Sequence, residues 1–319
     1  MYVHMYIIHN LCKAYSLFIV NRVLSPDLPD VYSLNPYQGC EHGCIYCYAR
    51  DSHNYWGFDS GKGFEENILV KKDAPLLLEK IFQKPGLIVK PLFLSGNTDC
   101  YQPAERKYRI TRQLLELCLR YKHPVSVLTK NALVKRDLDL FKALAQENLV
   151  SLTFSLTTLN EDLRLVLEPR TATTKSKLHI IEEFRMHHIP VYVMMAPIIP
   201  ALNSTEVFKI AKAASEAGAL GFNHSIIRLN GSVAEIFTDW VQKVFPDRAS
   251  KIINGIRDCH GGKLGETKPG LRMRGEGYTA AMINQMVKLA KQQYFSDQID
   301  IQLDTGRFVR NKLGQLNLF

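Results

Sequence analysis

Three cysteines, Cys40, Cys44 and Cys47, fall within eight residues in the run Asn35-Pro-Tyr-Gln-Gly-Cys-Glu-His-Gly-Cys-Ile-Tyr-Cys-Tyr-Ala-Arg50. The spacing C-x3-C-x2-C brings three thiolates onto one short loop, so the fold must present that loop where an inorganic group can sit. Three thiolates can hold three irons of a cubane 4Fe–4S cluster, and a fourth cysteine normally holds the last. The next cysteine is Cys100, which leaves one iron open to a non-protein ligand. A structural zinc site usually closes with four protein ligands, and His42 inside the loop is the nearest candidate for a fourth. A disulfide framework does not fit an odd count of seven cysteines in a long chain without a secretory leader. That usage is expected of a reduced, cytoplasmic protein.

The cysteine spacing, with the aromatic Tyr46 before the third cysteine, resembles the signature of the radical S-adenosylmethionine (radical SAM) enzymes. The wider run resembles the spore photoproduct lyase branch of that superfamily and its uncharacterised bacterial photolyase-like relatives. The resemblance begins near Asn21. It implies that SAM occupies the open iron, that an external donor such as flavodoxin or ferredoxin reduces the cluster, and that SAM is cleaved to methionine and a 5′-deoxyadenosyl radical. The cofactor then carries the difficult chemistry, and the protein positions and shields it.

The chain has 319 residues, 46% of them hydrophobic, enough to bury one large core. Forty Lys and Arg against 31 Asp and Glu give a formal charge of +9, which favours a polyanionic partner and says nothing about fold. Residues 1–20 are apolar but interrupted by His4, His9, Asn10 and Lys13. They lack the run of about 20 apolar residues that spans a bilayer, so no membrane is expected. Residues 1–30 read as a strand or short helix covering the core.

Beyond the cysteine loop, short apolar runs alternate with longer amphipathic ones. The expected strands are Tyr32–Tyr37, Pro91–Gly96, Val125–Thr129, Ser151–Ser155, Val191–Ala196 and Phe222–Arg228. The expected helices are Ala74–Phe82, Arg109–Tyr121, Leu138–Gln146, Lys175–His187, Ser204–Ala217 and Ala234–Phe245. Six repeats of this kind argue for parallel strands joined through helices. The expected fold is α/β, a partial (β/α)6 barrel over residues 31–241, followed by a mainly helical extension at 242–303 and a tail at 304–319. Such a barrel is also the usual radical SAM fold, and reactive groups in α/β barrels collect at the C-terminal ends of the strands.

Several polar residues fall at those ends. Asn97, Thr98 and Asp99 follow the second strand and either contact the amino group or ribose of SAM or simply make a turn. The segment resembles the family's Thr-Asp-Pro-Tyr-Gln-Pro-x-Glu motif, with Cys100 in place of proline. Lys130 leaves the third strand and can clamp a carboxylate as a point charge, and Ser155 ends the fourth; the resemblance puts both near SAM. Leu167-Glu-Pro-Arg-Thr171 resembles a Glu-Pro-x-Thr motif, so Glu168 and Arg170 either bind the ribose or methionyl carboxylate or pair with each other. Tyr46 is expected beside the adenine, with backbone near Tyr48 supplying polar contacts. The lyase uses a cysteine near the end of the second strand to return a hydrogen atom. Gly96 aligns there, so Cys100 is the candidate donor if it swings in.

Arg272 and Arg274 lie on the Gly-rich stretch 268–278 and suit phosphate contacts, or a solvated turn. The stretch from Asp304 to Gly314 is expected to have little fixed structure. Gln315, Leu316, Leu318 and Phe319 end the chain in a pattern resembling the peptide by which repair proteins dock on the DNA sliding clamp; folding back onto the core is the alternative. The overall expectation is a radical SAM enzyme acting on damaged DNA. Radical modification of RNA or protein and a non-catalytic Fe–S protein are the alternatives.

Overall fold

The structure is a computed structural model that describes residues 3–7, 14–16, 19–28, 30–296 and 301–310. Six strands form a parallel sheet in which each strand lies beside its successor: β1 (Tyr32–Leu34), β2 (Leu92–Leu94), β3 (Val125–Thr129), β4 (Val150–Ser155), β5 (Val191–Ile198) and β6 (Phe222–Ile226). Asn21–Arg22 adds an antiparallel strand outside β1. The sheet stays open, because β6 and this added strand are its two edges. Helices α1 (Ala74–Phe82), α2 (Ile110–Arg120), α3 (Leu138–Gln146), α4 (Thr174–Met186) and α5 (Val207–Glu216) lie between successive strands, and α6 (Ser232–Val244) follows β6.

Purely parallel strands usually read as unbroken apolar runs because helices cover both faces. These alternate instead. In β3, β4 and β5 the fully buried residues Val125, Val127, Val150, Leu152, Phe154, Val191, Val193 and Met195 pack with helix residues such as Leu114, Phe141, Phe184 and Ile210. Their neighbours Ser126, Leu128, Ser151, Thr153, Tyr192 and Met194 are only half-buried and line the concave interior. Ser151 and Ser126 hydrogen-bond there at 3.0 Å.

The expected strand over residues 32–37 divides. Pro36 has no N–H to give a ladder, β1 stops at Leu34, and Tyr37–Gln38 pairs with Leu69–Lys71 in a second sheet of four strands. The other strands of that sheet are Val3–Ile7 and Ala14–Ser16, antiparallel throughout. This switch of sheets carries the chain into the cysteine loop. At the far edge, Gly231 before α6 has φ +57°, and a Cβ there would collide with the Asp51 carboxylate. The loop's short helix, Arg50–Trp56, thus abuts the start of α6 and bridges the two edges of the open sheet.

After α6 come α7 (Ala249–Asp258) and α8 (Gly277–Tyr294), with α8 packed on α5. The expectation of little fixed structure from Asp304 onward is corrected for residues 304–310. The Ile301 N–H donates to Tyr192 Oη, the Asp304 N–H to the Asn148 carbonyl and the Val309 N–H to the Tyr121 carbonyl. Phe308 stacks against Tyr121 and meets Phe82 and His123 edge-on. Residues 301–310 therefore strap the N-terminal end of the barrel, where apolar rings and free loop backbone require cover. Residues 315–319 lie outside the described residues. No described helix is long and apolar enough to cross a membrane.

If the strap seals this end by burying Phe308, Phe308→Ala lowers the unfolding free energy by about 1–3 kcal/mol, below a full core deletion because the ring is half-buried. Urea denaturation followed by circular dichroism measures it.

Candidate active site

The cysteine loop is held by its backbone. The Cys40 N–H donates to the Phe64 carbonyl, the Ile45 N–H to Leu167 and the Arg170 N–H back to His42. The Gln102 side chain accepts from the Glu41 N–H and donates to the Gly39 carbonyl. Arg50 lies wholly inside the loop. It donates through Nε and Nη2 to the Cys44 carbonyl, through Nη1 to Ser60 and Gly61, and pairs with Glu65 at 2.6 Å. A buried guanidinium with every donor occupied fixes the loop without contributing a ligand. Gly43, at φ +67°, leaves room for Arg170 to reach Glu65 and the Glu41 carbonyl. Arg170 therefore secures the loop and does not pair with Glu168.

Cys40 and Cys44 are buried and Cys47 partly so. Burial pushes the Cys44 thiol up to about 12, with the Glu168 carboxylate adding to it. Burial likewise raises Cys40 and Cys47, and each Cys40–Cys44 and Cys40–Cys47 pairing raises Cys40 further. Mutually close, buried thiols of this kind need a positively charged group to become thiolates, and iron supplies it. Zinc fits less well. Asn131 Nδ2 donates to His42 Nε2 at 2.9 Å and His42 Nδ1 faces Asp99 at 3.5 Å, so neither ring nitrogen is free to complete a tetrahedron. Among the described residues no three His, Cys, Asp or Glu side chains converge as a single-ion site demands. A cubane sets each thiolate on a different iron, so its ligands stand apart. The donor set fits a cluster.

Beside the loop, Tyr46, Lys130, Ser155 and Glu168 form one network around the Glu168 carboxylate, which is 0% exposed. Lys130 Nζ donates to Glu168 at 2.9 Å and to Ser155 Oγ at 2.5 Å, and Thr157 Oγ1 donates to the carboxylate at 2.5 Å. Tyr46 Oη donates to it as well, and Lys177 Nζ stands 3.4 Å away. Burial opposes the charge on Glu168, but Lys130 and Lys177, helped by the two hydroxyls, outweigh it and hold the carboxyl well below the usual carboxylate range. Burial also opposes the Lys130 charge, yet the Glu168 carboxylate wins and raises it, whereas burial leaves Lys177 lowered. Lys130 Nζ also lies 5.6 Å above the Tyr46 ring.

The remaining candidates are spread around the mouth. Thr98 is buried and its hydroxyl donates to the Tyr37 carbonyl at 2.6 Å. Asn97 is half-buried, its N–H bonded to Asn35 and its amide 3.4 Å from Ser52 Oγ. Tyr48, 51% exposed, donates from Oη to the Gly96 carbonyl at 2.6 Å. Cys100 is 0% exposed. Its N–H donates to Ser95 Oγ and its carbonyl accepts from Thr111, so a swing toward the mouth would unpack the core. Arg272 is already paired with Asp27 at 2.5 Å and with Ser25, while Arg274 is exposed.

Sequence reasoning gave no role to Arg50, Lys177 or Arg228, and weighed His42 only as a fourth zinc ligand. Arg50 sits inside the motif, where a charged residue in an otherwise buried loop is itself a signal. Lys177 had none, since a lysine on an amphipathic helix reads as solvated. Arg228, two residues beyond β6, carries its guanidinium 5.2 Å above the Tyr48 ring, and only the fold brings those two together.

Residues 34–214 match the family model described as the Radical SAM superfamily. An uncharacterised protein of Mycobacterium tuberculosis is 31% identical over 226 residues, 70% of this chain and 66% of the relative. The match thus spans just under two thirds of that relative's length. An uncharacterised protein of Methanocaldococcus jannaschii is 27% identical over 175 residues, 55% of this chain and 63% of the relative. Among solved structures, a mutant of spore photoproduct lyase aligns with TM-score 0.61 at 12% identity, covering 87% of this chain and 77% of the other. Another, with bound AdoMet and dinucleoside spore photoproduct, aligns with TM-score 0.61 at 13% identity over 83% and 74%. At such identity the likeness is one of fold.

Removing the charge from Glu168 would leave Lys130 and Lys177 facing each other in a buried space. Glu168→Gln is expected to lower stability by about 3–5 kcal/mol, and a second change, Lys177→Met, to recover part of that loss. A double-mutant cycle in urea checks both; additive effects would show that the two groups are not coupled.

Proposed function

The chain belongs to the radical SAM superfamily, and from that membership we propose that it binds a 4Fe–4S cluster through Cys40, Cys44 and Cys47, takes S-adenosylmethionine as cosubstrate, and acts on a damaged base in DNA. The observation that carries the first part is the loop itself: three neighbouring thiols, two buried and one partly so, no fourth cysteine beside them among the described residues, and a backbone secured from within by Arg50. When bound, the cluster and SAM supply a 5′-deoxyadenosyl radical able to take a hydrogen atom from an unactivated carbon.

This chain's residues have the positioning and shielding to do. Lys130, held charged by Glu168, would offer its ammonium to the methionyl carboxylate in place of its long contact to Thr157 Oγ1 at 3.5 Å. Ser155, Asn97 and Thr98 line the same strand ends, and the Tyr46 ring closes the side nearest β4. Arg170 acts on the loop backbone and so places the cysteines. The two sealing contacts, the loop helix against α6 at one side and the strap at the base, would limit the access of reactive solutes to the interior, where they would divert a radical.

The DNA reading is supported by the surplus of positive charge, by the spore photoproduct lyase fold, and by the dinucleoside lesion held in that enzyme. The lyase's own reaction is not carried over. Gly96 stands where the resemblance puts its cysteine, and Cys100 is packed in the core. A lesion in duplex DNA would have to be flipped out to reach the mouth, at a cost of a few kcal/mol, with phosphate contacts offsetting it. Docking on the sliding clamp through Gln315, Leu316, Leu318 and Phe319 belongs to the same proposal and would raise the local concentration on DNA.

The test is anaerobic reconstitution and reduction, with 5′-deoxyadenosine measured alongside ultraviolet-irradiated DNA, intact DNA, RNA or no nucleic acid. Damaged DNA is expected to stimulate it selectively; equal yields in every arm would overturn the DNA assignment and keep the radical chemistry. Replacing any one of Cys40, Cys44 and Cys47 by Ala is expected to strip cluster iron and remove 5′-deoxyadenosine formation by at least about a hundredfold. Deleting residues 315–319 is expected to abolish clamp capture in a pull-down without changing 5′-deoxyadenosine yield; unchanged capture would sink the clamp reading.

A further inference from the structure

At the mouth, Arg228 is a cation without an anion. A guanidinium has five N–H donors, yet this one has the Tyr48 ring beneath it at 5.2 Å and a single contact to Met273 Sδ at 3.5 Å. Among the described residues no carboxylate stands within ion-pair distance of it. Asp27 attracts it from farther away, but that carboxylate already accepts from Arg272 Nε and from the Gly270 N–H. Asp27, Arg272 and Arg228 together leave one positive charge over.

The placement is fixed from two sides. The stretch 264–277 is tied to the end of β6, where the Ile226 N–H donates to the Met273 carbonyl and the Leu229 N–H to Leu264. Tyr48 follows Cys47 directly and is tethered to the end of β2 through the Gly96 carbonyl. Arg228 and Tyr48 therefore span the mouth from the last strand to the second, next to the cysteine loop. Arg274 is exposed beside Met273 on the same stretch. Between residues 246 and 296 nine Lys and Arg accompany four Asp and Glu, so this segment carries more than half of the chain's surplus positive charge.

We propose that Arg228 binds a backbone phosphate of the DNA substrate at the mouth, with Arg274 at the rim, and so sets the distance between the nucleotide and the cysteine loop. The inference deepens the DNA reading and rests on it. A planar fork of donors over a half-exposed ring suits a phosphodiester, whose two free oxygens accept both bonds of the fork. The methionyl carboxylate of SAM has its own candidate in Lys130, on the Glu168 side of the Tyr46 ring.

The experiment is fluorescence anisotropy of the anaerobic holoenzyme with a fluorescein-labelled, ultraviolet-irradiated single-stranded oligothymidylate, over a series of KCl concentrations. Arg228→Gln is expected to weaken binding about tenfold and to flatten the slope of log K against log salt by about 0.7, the value for one phosphate contact on a single strand. Arg228→Lys is expected to keep most of the slope. An oligonucleotide with neutral methylphosphonate linkages is expected to bind wild type and Arg228→Gln alike. Thermal melts and the cluster's visible absorbance establish that both variants are folded and loaded. Wild-type affinity and slope in Arg228→Gln, or a defect that persists undiminished on the neutral backbone, would overturn the phosphate assignment while leaving the DNA reading in place. Failure of the wild type to bind any DNA oligonucleotide, or tighter binding of an RNA of equal length, would overturn both.

Discussion

A carboxylate taken out of water is stable only if its partners are taken in with it, and the Glu168 carboxylate arranges much of this molecule on that account. Its donors come from four separate places: Tyr46 on the cysteine loop, Lys130 after β3, Thr157 after β4 and Lys177 on α4. None of these segments can shift without leaving a buried charge short of a partner, and such a defect is severe in a low-dielectric interior. The network therefore transmits the geometry of the sheet to the loop. The strands set where Lys130 and Thr157 emerge, the carboxylate sits where those two meet, and Tyr46 brings the cysteines to it.

The loop completes the same logic with a charge not yet compensated. Arg50 satisfies backbone carbonyls on its inside, and Gln102, His42 and Asn131 tie it to the ends of β2 and β3. Burial disfavours ionisation of all three thiols, and a carboxylate adds to it at two of them, Asp99 at Cys40 and Glu168 at Cys44. Positive charge from a metal group reverses that preference. A cluster held by this loop would thus stabilise it and be stabilised in turn, as in other metal sites whose ligands must deprotonate to bind.

The alternation of strands and helices was legible because it depends on local periodicity. All six barrel strands and the helices between them lie within a few residues of where the pattern puts them, and α4, capped by Thr173, starts one residue ahead of the expected Lys175. The cysteine spacing was legible for the same reason. What escaped depends on contacts distant in sequence. Residues 32–37 read as one strand because apolar alternation says nothing about a change of sheet at Pro36. The stretch from Asp304 read as unstructured because its polar side chains conceal a backbone paired with Asn148 and Tyr121. Glu168 and Arg170 read as two residues for SAM or, as the alternative, as partners of each other, yet the two side chains diverge, one into the interior and one along the loop. Lys177 and Arg228 acquire their meaning only from what the fold places opposite them.

An open sheet of six strands would ordinarily leave a gap between its edges and two open ends. Here the loop helix abuts α6 across the gap, and the strap covers the base with Phe308 and a run of backbone hydrogen bonds. The C-terminal ends of the strands are what remains, and there the crossing is made by Tyr48 and Arg228, a contact between a half-exposed ring and a cation with donors to spare. The loop-helix and strap contacts rest on packing and backbone hydrogen bonds. A molecule approaching the cysteine loop thus meets a bridge whose groups gain partners by being approached, which is the physical condition for a contact that serves entry and not only closure.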